Sequence, residues 1–211
     1  MTKTIQTLYE SITRNYLAAG KIWRYRDDVR RFLKFYESSE ASLSGSVQPA
    51  ELSFLEELVA HSNSISGQII EVGTLFGFTT QLIAKWKRSD KTLTTIDNFS
   101  WNPIGMPDSA HRGFTTRNLH YLTEKANVEI FDGASTDYYS GFIGERPAMI
   151  FIDAGHTYQE VMVDIRWSVK MKIPIISGHD YSDSHPGVKQ AVDEVFGVDK
   201  RVVGTLWAHT V

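Results

Sequence analysis

The segment 69-IIEVGTLFGFTTQLIAKW-86 joins an apolar run, a turn with two glycines and an amphipathic stretch. The apolar positions after Gly77 recur at helical spacing, whereas the run before Gly73 is of strand type. In an open sheet of parallel strands, ligands bind where a strand ends in such a turn. The glycines permit close approach of the backbone, and the first turn of the helix has unpaired N–H groups. The segment therefore predicts a buried strand, a ligand-binding turn and a helix.

The alternation of strand-type runs and helical patterns continues almost to the end of the chain. The apolar runs are 68-QIIEV-72, 92-TLTTID-97, 127-NVEIF-131, 148-AMIFID-153 and 173-IPIIS-177. Three helical stripes lie between or after these runs: Phe78, Leu82, Ile83 and Trp86; Tyr158, Val161, Met162, Ile165 and Val169; and Val188, Ala191, Val192 and Val195. The closing segment 201-RVVGTLWAHTV-211 predicts a hairpin with an antiparallel strand at the sheet edge. Strands that are apolar on both faces and alternate with helices indicate an α/β protein whose parallel sheet is covered on both sides.

The first part of the chain has a different character. The first 45 residues show helical spacing without a strand signal, and the Ser- and Gly-rich segment 37-ESSEASLSGSVQPA-50 is typical of a connector. We therefore predict an N-terminal helical extension over residues 1–48 and a single domain over residues 49–211. The first helix of this domain is expected to bury four apolar side chains: Leu52, Leu55, Leu58 and Val59.

Composition narrows the classes of function. The chain has 211 residues, a formal net charge of −3 and no cysteine, so disulfides and thiolate metal sites are excluded. The acidic balance argues against a nucleic-acid partner. No apolar run approaches the roughly 20 residues that a membrane span needs. We expect a soluble, cytoplasmic protein that acts on a small molecule, with neither nucleic acid nor membrane as partner; a homo-oligomer stays open.

Two strand-type runs end in an acid with a histidine nearby. Asp153 ends the run in 149-MIFIDAGHTYQE-160 and is followed by His156, and His179 and Asp180 follow the run in 175-IISGHDYSDSHPG-187. Neighbouring parallel strands lie about 4.8 Å apart, so the two carboxylates would face one pocket if these two strands are adjacent. A divalent cation such as Mg²⁺ joins two such acids, and a nitrogen ligand from His179 shifts the preference toward Mn²⁺. A neutral imidazole at residue 156 is suited to take a proton from a hydroxyl near neutral pH.

The sequence E-V-G-T-x-x-G after a strand resembles motif I of the class I S-adenosylmethionine-dependent methyltransferases. The resemblance implies a Rossmann-like, seven-stranded, mainly parallel sheet with helices on both faces. It also implies that Asp97 in 93-LTTIDNF-99 binds the ribose hydroxyls and that the segment from Asp132 borders the adenine ring. The implied S-adenosylmethionine set comprises nine residues: Glu71, Gly73, Thr74, Gly77, Asp97, Asn98, Asp132, Gly133 and Ala134.

The motifs F-I-D-x-x-H and G-H-D-Y, followed by 186-PGVKQAVDEVFG-197, resemble methyltransferase-domain family 24 over roughly residues 67–200. Its relatives are metal-dependent sugar and natural-product O-methyltransferases. The resemblance implies methylation of a small-molecule hydroxyl, with Asp153 and Asp180 as ligands of Mg²⁺ or Mn²⁺, His179 as a further ligand, and His156 with Asp153 as the catalytic residues. Residue 179 is a departure, because better understood relatives have an acid there.

Several alternatives remain open at this point. Asp153 can instead hydrogen-bond the cofactor, and His179 can be a packed residue satisfied by a carbonyl, while His185 is expected to cap the next helix together with Ser184. The segment 98-NFSWNPIGMPDSAHRGFTTRNLHYL-122 is either a lid over the acceptor or a surface insertion with an ordinary helix from about residue 113. A non-catalytic S-adenosylmethionine-binding module and a nicotinamide-dependent oxidoreductase are the alternative functions, although the glycine triplet G-x-G-x-x-G of dinucleotide sites is missing.

Overall fold

The computed structural model describes residues 47–211, of which 47–102 and 107–211 belong to one compact unit. Residues 1–46, and with them almost all of the predicted helical extension, lie outside the described part. The domain boundary near residue 48 therefore stays a prediction.

The described residues form one mixed sheet of seven strands in the order β3-β2-β1-β4-β5-β7-β6. The strands are β1 Ile69–Val72, β2 Leu93–Asp97, β3 Val128–Asp132, β4 Met149–Ile152, β5 Ile175–Gly178, β6 Arg201–Val203 and β7 Leu206–Thr210. Strands β1 to β5 pair in parallel, and β7 is antiparallel to both of its neighbours. The predicted parallel sheet and closing hairpin are confirmed. However, the antiparallel strand β7 lies inside the sheet, and β6 forms the edge.

Helices cover both faces of the sheet. They are α1 Pro49–Ser62, α2 Phe78–Trp86, α3 Asp108–Lys125, α4 Ser135–Gly141, α5 Tyr158–Lys170 and α6 Pro186–Phe196. Alternate strand residues point to opposite faces, so Ile70 and Ile150 pack with α5 and α6, whereas Ile69 and Met149 pack with α1 and α2. Among residues 47–211, none of the helices has the length and apolar character that crossing a bilayer requires.

Two predicted core positions and one helix boundary are wrong. Val169 and Val195 were expected on buried helical stripes but are 47% and 36% exposed. On α6 the buried stripe ends instead on Phe196, whose ring packs 5.8 Å from that of Trp207. Helix α3 begins at Asp108 rather than near residue 113, so the loop after β2 is shorter than expected.

Candidate active site

The turn after β1 lies against the end of β4 and against helix α3. Gly73 has a φ of +97°, and a Cβ atom at this residue would lie 1.9 Å from the carbonyl oxygen of Asp153. Gly77 begins α2 with a φ of +82°, and a Cβ atom there would lie 2.7 Å from the side chain of Leu119. Both positions therefore require glycine for close packing as well as for backbone conformation. The sequence indicated the turn but not these two partners.

Asp97, at the end of β2, holds the glycine turn in place. Its Oδ2 atom accepts hydrogen bonds from the backbone N–H groups of Thr74 at 2.9 Å and Leu75 at 2.8 Å. Its Oδ1 atom accepts a third, from the N–H group of Phe99 at 2.7 Å. Hydrogen bonds to an ionised carboxylate are stronger than those between neutral groups. Asp97 thus organises the backbone of the predicted cofactor site, while its contact with ribose stays a prediction.

Helix α3 supports the same turn from the other side. The carbonyl oxygen of Leu75 accepts hydrogen bonds from His111 Nε2 at 2.8 Å and Thr115 Oγ1 at 2.5 Å. The carbonyl oxygen of Phe76 accepts one from Asn118 Nδ2 at 2.7 Å. Residues 111, 115 and 118 lie on one face of a helix, because they are four and three residues apart. This spacing in the sequence could have indicated a helix face that supports the turn, whereas the prediction for the segment was a lid or a surface insertion.

Glu71 lies in the interior beneath the turn, with no exposed surface. Its Oε2 atom accepts hydrogen bonds from Thr80 Oγ1 at 2.5 Å and Thr95 Oγ1 at 2.6 Å. Burial raises the pKa of Glu71 to about 8, with further increases from the charges of Asp153 and Asp97. Burial therefore favours the neutral form of this carboxyl group. In this conformation it supports the turn, and its predicted contact with a cofactor stays a prediction.

The other predicted cofactor residues follow β2 and β3. Asp132 pairs with Asp97 in the parallel register, and its carboxylate forms a two-contact ion pair with Arg112, at 2.6 Å from Nε and 2.9 Å from Nη2. Asn98 is exposed and accepts hydrogen bonds from Ser100. The N–H group of Gly133 donates to the carbonyl oxygen of Asp97 at 3.0 Å, and Ala134 precedes α4. The nine predicted cofactor residues thus lie along the turns that follow β1, β2 and β3.

A second cluster lies where β4 and β5 end. Asp180 has a φ of +61°, and its Oδ2 atom lies 2.8 Å from His156 Nε2. The hydrogen bond to Asp180 raises the pKa of His156. Burial alone would raise the pKa of Asp180, but its contacts with His156 and His179 hold it well below the usual range. His156 lies just before Thr157, the N-cap residue of α5.

His179 is buried between Asp180 and a residue from α1. Its Nε2 atom lies 3.0 Å from Glu51 Oε2 and 2.9 Å from Thr205 Oγ1. Its Nδ1 atom lies 3.3 Å from Asp180 Oδ1, without hydrogen-bond geometry to any of the described residues. Burial alone would lower the pKa of His179, but the contact with Asp180, the charges of Asp153 and Asp180, and Glu51 raise it to about 9. His179 is therefore a packed residue, as one alternative held, but its partners are a carboxylate and a hydroxyl rather than a carbonyl.

His185 belongs to this cluster, although the sequence indicated only a capping role. The backbone of His185 is the N-cap of α6, but its side chain makes no capping hydrogen bond. Its Nδ1 atom lies 3.3 Å from Ser182 Oγ and 3.6 Å from Asp180 Oδ1, and its ring is 4.5 Å from that of His156. The expected cap with Ser184 is therefore wrong.

The two acids and two of the histidines surround a small cavity. This cavity has a volume of about 10 Å³ and is lined by Asp153, His156, His179 and Asp180 together with apolar residues of β4, α5 and α6. A larger cavity of about 290 Å³ lies between α1 and the closing hairpin and includes none of these four residues. The smaller cavity lies where β4 and β5 end and next to the glycine turn, so it is the candidate site for the chemistry.

The comparison with protein families agrees with this arrangement. Methyltransferase-domain family 24, described as a methyltransferase domain, matches residues 70–181, just over half of the chain. The chain belongs to this family. It is a class I S-adenosylmethionine-dependent methyltransferase. The alternative function, a nicotinamide-dependent oxidoreductase, is therefore wrong. No curated protein has a sequence that matches this chain significantly.

Solved structures share the fold of the methyltransferase. The O-methyltransferase from Bacillus cereus in complex with SAH has a TM-score of 0.61 and 19% identity, with 87% of this chain and 89% of that chain covered. TomG from Streptomyces achromogenes, in complex with SAM, gives 0.59 and 17%, with 84% and 85% covered. The calicheamicin methyltransferase CalS11 gives 0.64 and 14%, with 86% and 90% covered. At these identities the likeness establishes the fold alone.

The second cluster of the methyltransferase has the donor atoms of a cation site. Asp153, His179 and Asp180 each offer one ligand atom, and these atoms lie within 4.8 Å of one another. His156, Asp180 and His185 form a second such group, which shares Asp180 and is more exposed. Carboxylate oxygens suit Mg²⁺, whereas an imidazole nitrogen suits a transition metal. The residues present therefore fit a divalent cation.

Proposed function

We propose that this methyltransferase transfers the methyl group of S-adenosylmethionine to a hydroxyl oxygen of a small molecule. The observation that carries the proposal is the pair of His156 and Asp180, whose Nε2 and Oδ2 atoms lie 2.8 Å apart at the carboxyl ends of the strands. The imidazole is 40% exposed, so an acceptor can reach it from solution. A histidine held by a carboxylate is the usual form of a general base.

The proton transfer follows from this geometry. In a neutral ring, Nε2 carries the hydrogen that is donated to Asp180, which leaves Nδ1 to accept the proton of the hydroxyl. As the oxygen–methyl bond forms, the sulfur–methyl bond breaks and its electron pair stays on sulfur. The products are a methyl ether, S-adenosylhomocysteine and a proton on His156. Asp180 stabilises this imidazolium, in the way that a carboxylate does in other histidine–acid pairs.

The methyl donor is proposed to bind along the turns after β1, β2 and β3, in contact with the nine residues named above. Support comes from the glycine turn, which is held in place by Asp97 and α3 and leads directly into the first turn of α2. This site adjoins the second cluster, because Gly73 lies against the carbonyl group of Asp153. Fixing the sulfonium group and the hydroxyl in line supplies much of the rate enhancement in such transfers.

A divalent cation is proposed to assist the transfer. Asp153, His179 and Asp180 would hold it. A bound cation lowers the pKa of a hydroxyl that coordinates to it and fixes the position of the oxygen.

The acceptor class that we propose is a hydroxylated sugar or natural product. Support comes from the shared fold of CalS11, described as a TDP-rhamnose 3'-O-methyltransferase, at 14% identity. Residues 98–102 follow the carboxyl end of β2, and loops at such strand ends commonly carry recognition. The exposed side chain of Trp101 in this loop is a further candidate contact.

The experiment has a binding arm and a turnover arm. Calorimetric titration of S-adenosylhomocysteine measures cofactor binding, and a panel of sugars, phenols and other hydroxylated compounds is incubated with S-adenosylmethionine. Mass spectrometry then detects both S-adenosylhomocysteine and the methylated product. His156→Gln should keep cofactor affinity and lower turnover by about 10²- to 10⁴-fold. His120→Gln on the exposed face of α3 is the matched control.

The outcomes separate the alternatives. Turnover that is unchanged in His156→Gln would exclude this residue as the base. Binding without transfer to any member of the panel would indicate a cofactor-binding module. Absence of binding would contradict the proposed cofactor site itself.

A further inference from the structure

The orientation of the His179 ring follows from its contact with Glu51. Their Nε2 and Oε2 atoms lie 3.0 Å apart, in surroundings where His179 is 5% and Glu51 1% exposed. A carboxylate only accepts hydrogen bonds, so Nε2 must carry the hydrogen and donate it. The other nitrogen, Nδ1, is then directed toward Asp180 and has no hydrogen-bond partner among residues 47–211. Buried polar atoms normally have a partner, so this nitrogen is expected to bind a proton or a cation.

Glu51 is itself held by four donors. Its Oε1 atom accepts hydrogen bonds from Thr205 N at 2.6 Å and Thr205 Oγ1 at 3.0 Å. Its Oε2 atom accepts one from Gln48 N at 2.7 Å in addition to the contact with His179. A Cβ atom at Gly204 would lie 2.3 Å from Oε1, so the hairpin turn closes directly over the carboxylate. Such a group is fixed before any ligand binds.

The space in front of Nδ1 suits a single ion. The cavity of about 10 Å³ beside His179 is also lined by Asp153 and Asp180. A cavity of this size has room for about one water molecule or one ion of similar radius. The ligand atoms of all three residues lie within 4.8 Å of one another. The buried nitrogen, the two carboxylates and the cavity therefore converge on one point.

We propose that Glu51 is the outer carboxylate of a metal centre, which fixes His179 so that Nδ1, Asp153 and Asp180 bind Mn²⁺ or Co²⁺ in preference to Mg²⁺. This inference rests on the proposed function, since it names the cation of the same site. Histidine ligands of metals commonly donate their second ring N–H to a carboxylate, which sets the tautomer and the ring orientation. Glu51 lies outside residues 70–181, the part of the chain that the family model covers.

The expected metal preference follows from the donor set. Mg²⁺ favours oxygen ligands in an octahedral arrangement and binds nitrogen poorly. One imidazole with two carboxylates suits Mn²⁺, Co²⁺ and neighbouring metals better. Asp180 can take part while keeping its contact with His156, because Oδ1 faces His179 and Oδ2 faces His156.

The test measures metal binding directly, in the full-length protein stripped of metal and without S-adenosylmethionine. Free Mn²⁺ is followed by electron paramagnetic resonance, and Mg²⁺ is added as competitor. We expect Mn²⁺ to bind about tenfold or more tightly than Mg²⁺. Glu51→Gln should weaken Mn²⁺ binding by about 10- to 100-fold. Glu57→Gln, which removes the same charge from an exposed position on α1, should leave it unchanged.

Two further variants locate the ion and guard against misfolding. His179→Asp creates an all-oxygen site, so the preference for Mn²⁺ over Mg²⁺ should shrink or reverse; a purely structural role for His179 would not produce this change. His185→Gln should retain Mn²⁺ binding. Circular dichroism tests whether each variant is folded. If Glu51→Gln does not fold, His179→Asp still tests whether the imidazole nitrogen is a ligand of the ion.

Three results would overturn the inference. The first is equal affinity for Mg²⁺ and Mn²⁺. The second is Mn²⁺ binding that is unchanged in Glu51→Gln and His179→Asp but lost in His185→Gln. The third is the absence of Mn²⁺ binding. Titration of S-adenosylhomocysteine into the same samples distinguishes failure of this inference from failure of the proposed function. Cofactor binding without Mn²⁺ binding would contradict the metal centre alone, whereas absence of cofactor binding would contradict the proposed function.

Discussion

Glu51 and His179 lie 3.0 Å apart although 128 positions separate them in the chain. The contact joins the first turn of α1 to the end of β5, and Thr205 of the closing hairpin joins both. Helix α1 therefore does more than cover one face of the sheet: it supplies a buried charge beside the cluster that we assign to the chemistry. A description limited to the segment from β1 to β5 would omit the partner that orients His179.

The three backbone hydrogen bonds to Asp97 predict a coupled loss of stability and cofactor binding. In Asp97→Asn one oxygen becomes an NH₂ group, which cannot accept from Phe99 or from Thr74 and Leu75. We expect the free energy of unfolding to fall by about 1.5–3 kcal/mol and the affinity for S-adenosylhomocysteine by at least about tenfold. Urea unfolding and calorimetry measure the two effects.

Asp132→Asn is the comparison for the stability effect. Its ion pair with Arg112 is roughly half exposed, so removing the charge should change the free energy of unfolding by less than about 1 kcal/mol. Equal destabilisation by the two variants would show that the hydrogen bonds of Asp97 do not hold the turn.

Helix α3 gives a second prediction, on a residue that the sequence did not mark. Thr115→Val keeps the shape of the side chain but removes the donor to the carbonyl oxygen of Leu75. The expected cost is about 1 kcal/mol of stability, with weaker binding of S-adenosylhomocysteine because the turn loses a support. Thr116→Val, at the exposed neighbouring position, should change neither quantity. If the two variants behave alike in thermal unfolding and calorimetry, the support from α3 is not significant.

The sheet was predictable because its strands are apolar on both faces and end in glycines and acids. The proximity of Asp153 and Asp180 was predictable only with the strand order that the family resemblance implied, in which β4 and β5 are neighbours, as they are in the sheet. The glycine turn followed from Gly73 and Gly77, which stand between a strand and an amphipathic helix. These features depend on local sequence and on one rule of sheet geometry.

The remaining contacts depend on tertiary packing that no local pattern encodes. The side chain of Glu51 belongs to an ordinary helix start, where a carboxylate is common, and only the hairpin at Gly204 brings it to His179. His185 was interpreted as a cap because it precedes a helix, yet its ring faces Asp180. Val169 and Val195 continue the apolar stripes of their helices, but both side chains lie beyond the part of the helix that packs against the sheet and are therefore exposed. Spacing alone does not show where a neighbouring element ends.

Buried Asp164 predicts a pH-dependent stability that is separate from the active site. Its Oδ1 atom accepts hydrogen bonds from Ser135 Oγ at 2.8 Å and Tyr139 OH at 2.9 Å. Burial raises the pKa of Asp164 to about 6 from 3.8. The folded state therefore binds more protons than the unfolded state between pH 4 and 6, so stability falls as the pH rises through this range. The shift corresponds to a decrease of about 3 kcal/mol in the free energy of unfolding, and this decrease is complete once the pH exceeds the pKa of Asp164 in the folded state.

Asp164→Asn should remove this loss, because an amide oxygen can still accept both hydrogen bonds. We expect the variant to be more stable than the parent protein at pH 8 and to lose the advantage at pH 4. Urea unfolding at several pH values measures the difference between the two proteins, in which other titrating groups cancel. Asp137→Asn, at an exposed position on α4, is the control and should track the parent. A difference that does not depend on pH would mean that Asp164 is not buried as a neutral acid.

The close approach of Gly73 to Asp153 predicts the largest effect of a single methyl group. In Gly73→Ala the new Cβ atom would lie 1.9 Å from the carbonyl oxygen of Asp153, and the φ of +97° is itself unfavourable for alanine. Either the turn or the end of β4 must move. We expect a loss of about 3 kcal/mol or more in stability, together with loss of S-adenosylhomocysteine binding and displacement of Asp153.

Gly113→Ala is the matched control, because it adds the same methyl group within α3. There, among residues 47–211, no heavy atom other than those of the adjacent residues and the helix's own backbone lies within 4 Å of the new Cβ. Alanine is the better helix former, so this variant should gain about 0.5–1 kcal/mol. Thermal unfolding compares the two variants, and calorimetry compares their cofactor affinity. If Gly73→Ala stayed as stable as the parent and bound S-adenosylhomocysteine equally well, the turn would have to lie farther from β4 in solution. The link between the cofactor turn and Asp153 would then be lost as well.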